Sequence, residues 1–260
     1  MAKERLDVLL VERGLAGSRE RAKRIIMAGQ VLVDGQKVDK AGMTVKAGAE
    51  IRLLGGDLPY VSRGGLKLAK AVQAFGLTLF GKIAADIGAS TGGFTDCMLQ
   101  NGAQKVYAID VGYGQLAWKL RTDERVVNME RTNIRNVTPD MIPDLLDFAS
   151  IDVAFISLEK VLPAVRELLK PEGEIAALIK PQFEAGRASV RKNGIVKDRN
   201  EHLRVVCELA SAAKNEGLTL SDLAVSPILG GDGNREYLAL FVYGEAEPFD
   251  PVRAKKLILD

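Results

Sequence analysis

Across residues 83–243 the chain repeats one pattern: a short apolar run of strand character, a turn, then a segment with helical periodicity. The runs 83–87, 105–110, 126–129, 150–156 and 174–179 read as strands, and 93–101, a segment from Leu116, 158–169 and 199–216 read as helices. Strand connections that pass through a helix suit parallel pairing, and they cross over with one hand. The alternation therefore specifies an α/β fold, a doubly wound and mostly parallel sheet with helices on both faces. The last two runs, 219–225 and 236–243, are joined by a Gly-rich turn and are expected to pair antiparallel. A helix from Gly64 to Phe75 precedes the sheet, with Ser62 as its expected cap and Leu68, Ala69, Val72 and Phe75 inward.

The front of the chain is built differently. Residues 1–58 hold 11 Lys/Arg against 8 Asp/Glu, while the remainder holds 25 against 26, so the basic excess is confined to the N-terminal segment. Leu6, Leu9 and Leu10 mark one helix. Ser18 can cap a second that ends near Gly29, and Val31–Val33, the Asp34-Gly35 turn and residues 45–53 supply strand. Arg19, Lys23 and Arg24, with Arg21 slightly round the helix, share a polar face that is either solvated or meets an anion such as RNA or DNA. The stretch GSRERAKRIIMAGQVLVDGQKV resembles the S4 RNA-binding domain over about residues 5–53. That resemblance implies that Arg19, Arg21, Lys23 and Arg24, together with Arg5, face phosphates of structured RNA. Arg5-Leu6-Asp7 is also similar to a catalytic motif of pseudouridine synthases, but Asp7 falls inside the first helix and is expected to be a surface or capping carboxylate.

These readings divide the chain into an S4 domain at 1–58, a linker at 59–62, a catalytic domain at 63–245 and a tail at 246–260. Hydrophobic residues at 47% and charged ones at 27% exclude disorder and fibrous folds. No apolar stretch approaches the ~18 residues of a membrane span, and the charged start lacks a signal-peptide core, so a cytoplasmic protein is expected. Cys97 and Cys207 lack metal-ligand spacing and read as two buried thiols of a reducing compartment, with no metal.

The segment Asp86-Ile87-Gly88-Ala89-Ser90-Thr91-Gly92-Gly93-Phe94 follows the first strand of the repeat and opens a helix. Ligands of open α/β sheets bind beyond the carboxyl ends of the strands, where glycines let the backbone approach closely. The spacing fits neither a dinucleotide fingerprint nor a P-loop, which would need a Gly-Lys-Ser/Thr ending. Asp110, ending the second strand, can accept both hydroxyls of a ribose. Together these features resemble the Rossmann-like class I methyltransferases. The likeness implies that Asp86, Gly88, Ala89, Ser90, Gly92, Gly93 and Phe94 hold the amino-acid end of S-adenosyl-L-methionine and Asp110 its ribose.

Polar residues at strand ends converge on such a cleft. Asp152 falls in an apolar run where an unpaired acid would be costly, and Lys180 ends a strand that Pro181 stops. Glu236 begins the last strand and Lys67 lies on the preceding helix; taken singly, both read as surface residues. As a set, Lys67, Asp152, Lys180 and Glu236 are similar to the Lys-Asp-Lys-Glu tetrad of FtsJ-type ribose 2′-O-methyltransferases. The words Ser62-Arg63-Gly64-Gly65-Leu66-Lys67-Leu68, Glu130-Arg131-Thr132-Asn133 and Phe155-Ile156-Ser157-Leu158 resemble the TlyA family, which joins an S4 domain to such an enzyme. That resemblance implies 2′-O-methylation of cytidines in ribosomal RNA on ribosomal subunits, with Lys180 as the base. A lysine is protonated at neutrality, and freeing its amine costs about 4 kcal/mol. A second ammonium ~4 Å away is worth about that much at an effective dielectric near 20, the part expected of Lys67. Arg187, Arg191, Lys192 and Lys197 form a basic loop that either clamps RNA backbone or is solvated. His202 reads as a surface residue and Trp118 as core. Two other readings stay open: a membrane-active haemolysin, after the family's common label, and a non-catalytic RNA-binding assembly factor.

Overall fold

The computed structural model describes residues 3–53, 59–186, 189–190, 194–230 and 233–259; Arg187, Arg191, Lys192 and the turn-rich positions 55–58 lie outside the described residues. The chain divides into two compact units, Met1–Leu58 and Pro59–Asp260.

The first unit runs β1 (Lys3–Arg5), α1 (Leu6–Glu12), α2 (Arg19–Met27), β2 (Val31–Val33), β3 (Gln36–Val38), β4 (Thr44–Lys46) and β5 (Ile51–Leu53). Ser18 starts α2 by accepting the Arg21 amide on its hydroxyl. β2 pairs antiparallel with both β3 and β5, and Asp34 and Gly35, both at positive φ, close the β2–β3 turn. Leu6, Leu10, Ala22, Ile26 and Val31 fill the core between helices and strands. Asp7 departs from expectation: it is fully buried, because Arg5 and Arg19 both donate to its carboxylate.

The second unit runs α3 (Gly64–Phe75), β6 (Ile83–Ile87), α4 (Gly93–Gln100), β7 (Lys105–Ile109), α5 (Trp118–Arg121), β8 (Val126–Met129), β9 (Leu146–Ile151), α6 (Leu162–Leu168), β10 (Leu169–Ile179), α7 (Pro181–Glu184), α8 (Arg199–Asn215), β11 (Leu218–Val225), β12 (Tyr237–Tyr243) and α9 (Pro251–Leu259). Its seven-stranded sheet has the order β11-β12-β10-β9-β6-β7-β8. β6 to β10 are parallel, and β12 lies antiparallel between β10 and β11. Successive side chains on a strand face opposite ways, so the sheet sorts them into two cores. Ala84, Val106, Phe148, Leu178 and Leu238 pack with Leu68, Phe94 and Met98 of α3 and α4. Ala85, Tyr107, Ala149, Ala177 and Ala239 pack on the other face with Val165 of α6 and Val205 and Leu209 of α8.

Several expectations are corrected. β9 begins at Leu146 and ends at Ile151, so Asp152 follows the strand rather than lying inside it. Arg63 rather than Ser62 is the N-cap residue of α3 and no side chain caps it; the Ser62 carbonyl accepts the Gly65 amide, while its hydroxyl lies against Gly93. The 59–62 stretch is packed rather than free: Gln100 donates to the Pro59 carbonyl and the Val61 amide donates to Asp96. The 246–260 stretch is not a bare tail, because Ala254 and Ile258, one helical turn apart, bury α9 against the unit. Cys97 is buried but Cys207 is exposed, and Trp118 is 76% exposed. His202 is buried, with Nε2 donating to the Val196 carbonyl and Nδ1 therefore accepting from the Tyr237 hydroxyl, each at 2.8 Å; burial lowers its pKa.

Phe148 is fully buried at the sheet centre. Phe148→Ala is expected to cost about 3–5 kcal/mol of stability, measured as a fall in the urea midpoint at unchanged m-value.

Candidate active site

Even-numbered positions of the central strands face α3 and α4, and the polar side chains that extend this series past the apolar core meet at one place. Asp152 continues Phe148 and Ser150 beyond β9, Lys180 continues Ala176 and Leu178 beyond β10, and Glu236 precedes Leu238 and Leu240 of β12. Lys67, on the buried face of α3 one residue before Leu68, reaches down to them. Lys67 Nζ lies 2.6 Å from Glu236 Oε2 and 3.6 Å from Asp152 Oδ2, and Lys180 Nζ lies 2.5 Å from Asp152 Oδ1. The four form one chain of alternating charge, Glu236–Lys67–Asp152–Lys180. The expected ammonium-on-ammonium contact is replaced by a carboxylate that bridges both amines. Lys180 Nζ also donates to the Val153 carbonyl at 2.8 Å. Gly230 permits the closing contact, since a Cβ there would lie 2.0 Å from Glu236 Oε1.

The glycine loop stands between the ends of β6 and β9, where the strand order reverses. Gly88 has φ of 86°, and a Cβ on it would stand 2.6 Å from the Asp152 carbonyl. Ser90 also holds a positive φ, 48°. Asp86 serves the loop from behind. Its Oδ2 accepts both the amide and hydroxyl of Thr95, at 2.8 and 2.7 Å, and its Oδ1 faces the Ser150 hydroxyl. Burial pushes the Asp86 carboxyl up to about 6, against the lowering effect of the Thr95 hydrogen bonds. Gly92, at φ of 92°, is turned toward Leu116 and Leu120 and borders neither cavity of the site. Ala89 and Phe94 border the smaller one, although both side chains are buried in the core.

Two cavities flank this loop and share Gly88, Ser90 and Asp152. The smaller, about 390 Å³, is bordered by Ser62, Arg63, Lys67, Gly93 and Leu229. The larger, about 850 Å³, is bordered by Asp110, Val111, Asn133, Ile134, Phe155 and Phe183. Asp110 accepts the Ser90 amide on one oxygen and the Gly112 amide on the other, at 2.8 and 2.7 Å, which leaves each oxygen acceptor capacity toward the cavity. Lys180 and Glu236 border neither space and stand behind Lys67 and Asp152.

Sequence reasoning missed several residues that shape the site. Phe155 is 92% exposed at a left-handed φ of 62°, its ring 5.1 Å from that of Phe183. Its signal was an aromatic residue in a loop directly past a strand end. Glu130, paired with Arg121, accepts the amides of Gln115 and Leu116 and so anchors the loop that follows Asp110; the Arg121 hydrogen bond brings its carboxyl down to about 2. Among the basic candidates, Arg5 and Arg19 are paired with Asp7, while Arg21, Lys23 and Arg24 lie on α2. Lys197 is exposed, and no metal-holding cluster occurs among the described residues.

Comparison with known proteins gives concordant results. The profile of the FtsJ-like methyltransferase family matches residues 60–243, and that of the S4 domain matches residues 4–51. The 16S/23S rRNA (cytidine-2′-O)-methyltransferase TlyA of Mycobacterium tuberculosis is 43% identical over 90% of this chain and 87% of that protein. Hemolysin A of Brachyspira hyodysenteriae is 42% identical over 92% of this chain and 99% of that one. A solved Streptococcus thermophilus chain that carries the name hemolysin superposes with a TM-score of 0.79 at 48% identity, covering 100% of this chain and 95% of that one.

The raised Asp86 carboxyl carries a pH signature. Its folded value of about 6 exceeds the ordinary 3.8, so its contribution to stability is fully present below about pH 4 and is lost as pH rises through 6. The loss amounts to about 3 kcal/mol by neutrality. Asp86→Asn keeps an acceptor for Thr95 without the charge, and its unfolding free energy is expected to fall less than that of the parent chain between pH 4 and pH 7. Parallel pH profiles for the two proteins would contradict this assignment.

Proposed function

The chain belongs to the FtsJ-like methyltransferases and carries an S4 domain ahead of the catalytic unit, and on that footing we propose that it methylates ribose 2′-hydroxyls of ribosomal RNA. The proposed methyl donor is S-adenosyl-L-methionine, the proposed nucleotide a cytidine, and the S4 domain docks the structured RNA. The observation that carries the reading is the alternating chain Glu236–Lys67–Asp152–Lys180 beside a glycine loop at the switch point of the sheet.

The residues present fit that donor. Asp110 keeps an acceptor site on each oxygen for a ribose diol, and Gly88, packed against the Asp152 carbonyl, borders both cavities with bare backbone. The Gly88–Ser90 backbone and Gly93 would hold its amino-acid end, Asp110 its ribose, and Asp86 would hold the loop in shape. When bound, the donor supplies an electrophilic methyl group on a sulfonium.

The protein has to free a ribose hydroxyl of its proton and hold it in line with that methyl. Lys180 is the proposed base, the role that the likeness to the FtsJ-type tetrad gives it, and the two acceptors beside it fix the position of its nitrogen. As an ammonium it has three donors and two acceptors, Asp152 and the Val153 carbonyl. As a neutral amine it has two donors for the same two acceptors and one lone pair left over to take the proton. Lys67 has carboxylates on two sides and orients Asp152, while Glu236 in turn orients Lys67. Phe155, exposed at the mouth of the larger cavity, offers a ring face to a base turned out of the RNA. Among the described residues no helix is long and apolar enough to cross a membrane.

Lys180→Ala is expected to cut transfer of labelled methyl into ribosomal subunits by roughly 10²–10⁴-fold while donor affinity stays within a few-fold. The label is expected on a 2′-oxygen, located by primer extension and nuclease digestion. Full turnover by Lys180→Ala would remove Lys180 from the base role, and label on a nucleobase would remove the reaction class.

A further inference from the structure

The first unit holds a carboxylate that methyl transfer leaves unused. Asp7, in the first turn of α1, is fully buried and accepts three charge-assisted hydrogen bonds. Arg5 donates in fork geometry, Nε to Oδ1 at 2.9 Å and Nη2 to Oδ2 at 3.1 Å. Arg19, the first residue of α2, donates from Nη2 to the same Oδ2 at 3.1 Å. These bonds, led by that from Arg5, hold the Asp7 carboxyl well below the usual range despite its burial. The two arginine side chains remain about half exposed, at 49% and 53%.

Stability alone is a weak reason for such a group, since well-packed apolar residues replace buried ion pairs at no loss in many folds. Donor capacity supplies a stronger one. Each guanidinium carries five N–H donors in a rigid fork, and Asp7 takes two from Arg5 and one from Arg19. The two guanidiniums make no other hydrogen bond or ion pair among the described residues, so donors remain unclaimed on half-exposed side chains. Two like-charged groups converge on one oxygen only because the carboxylate separates their charges and fixes their planes. Planar forks held in this way match the tetrahedral oxygens of a phosphate.

We propose that Asp7 is a positioning residue that locks the Arg5 and Arg19 guanidiniums into one preformed clamp for a phosphate of the RNA backbone. The inference rests on the reading that the S4 unit docks RNA, and it adds a residue of the wrong charge to the binding machinery. That sign makes the test decisive.

The measurement is binding of the full chain to transcribed 16S and 23S ribosomal RNA, by filter retention over a range of salt. Asp7→Asn removes a buried negative charge from beneath the two arginines, so bulk electrostatics predicts tighter binding. The clamp predicts binding weaker by about tenfold. It also predicts that Arg19→Ala adds little in the Asp7→Asn background, whereas Lys23→Ala with Arg24→Ala adds its full effect. Unchanged or tighter binding by Asp7→Asn in a folded protein overturns the inference. Should Asp7→Asn unfold the unit, Arg19→Lys keeps the charge and loses the fork, and undiminished binding by that variant overturns it equally. If Lys23→Ala with Arg24→Ala weakens binding while Asp7→Asn does not, RNA docking stands and the clamp falls. If neither changes binding, docking by this unit falls as well.

Discussion

Four charges share one water-poor spot at the end of the sheet, and each is tolerable only because of the next. Glu236 is nearly sealed by Lys67, Lys67 also faces Asp152, and Asp152 also faces Lys180. Removing either inner member, Lys67 or Asp152, leaves an end charge without its ion-pair partner, which is far more costly than the pair is stabilising. The requirement reaches back into the whole second unit. α3 carries Lys67, and the other three stand one residue past β9, one past β10 and one before β12, so the strand registers and the seat of α3 must agree for the charges to balance. The core that α3 and α4 make with the even-numbered strand positions is the physical means of that agreement.

Much of this was legible beforehand because period two is a local property. The apolar runs gave the strands, and with them Asp110 and Lys180 as polar residues at carboxyl ends, whereas Asp152 read as lying inside a strand that stops one residue before it. The glycine loop was legible for a similar reason, since Gly88 tolerates both a left-handed φ and a carbonyl where its Cβ would stand.

What escaped the sequence depends on partners remote in the chain. Asp7 is an acid between Leu6 and Val8, and nothing local shows that Arg19, twelve positions away, folds over it. His202 begins a polar helical turn, yet Tyr237 on β12 and the Val196 carbonyl enclose it. Trp118 failed the other way. Residues 116–120 read as an apolar helical stretch, but Leu116 and Leu120 occupy the single inward direction, against Gly92, and the indole is left outside. The role of Glu130 as an anchor for the loop after Asp110 needs the parallel pairing of β7 and β8 to be visible.

β12 follows β11 in the chain but lies between it and β10 in space. β11 is an edge strand that touches the sheet only through β12, so its own place depends on the strand made after it. The arrival of β12 brings Glu236 to a lysine made some 170 residues earlier. During vectorial synthesis Lys67 and Asp152 have no completed pocket, so a nascent chain cannot hold the reactive arrangement ahead of time. Competence thus waits on the last strand, and a chain stalled short of β12 carries a domain without its complete centre.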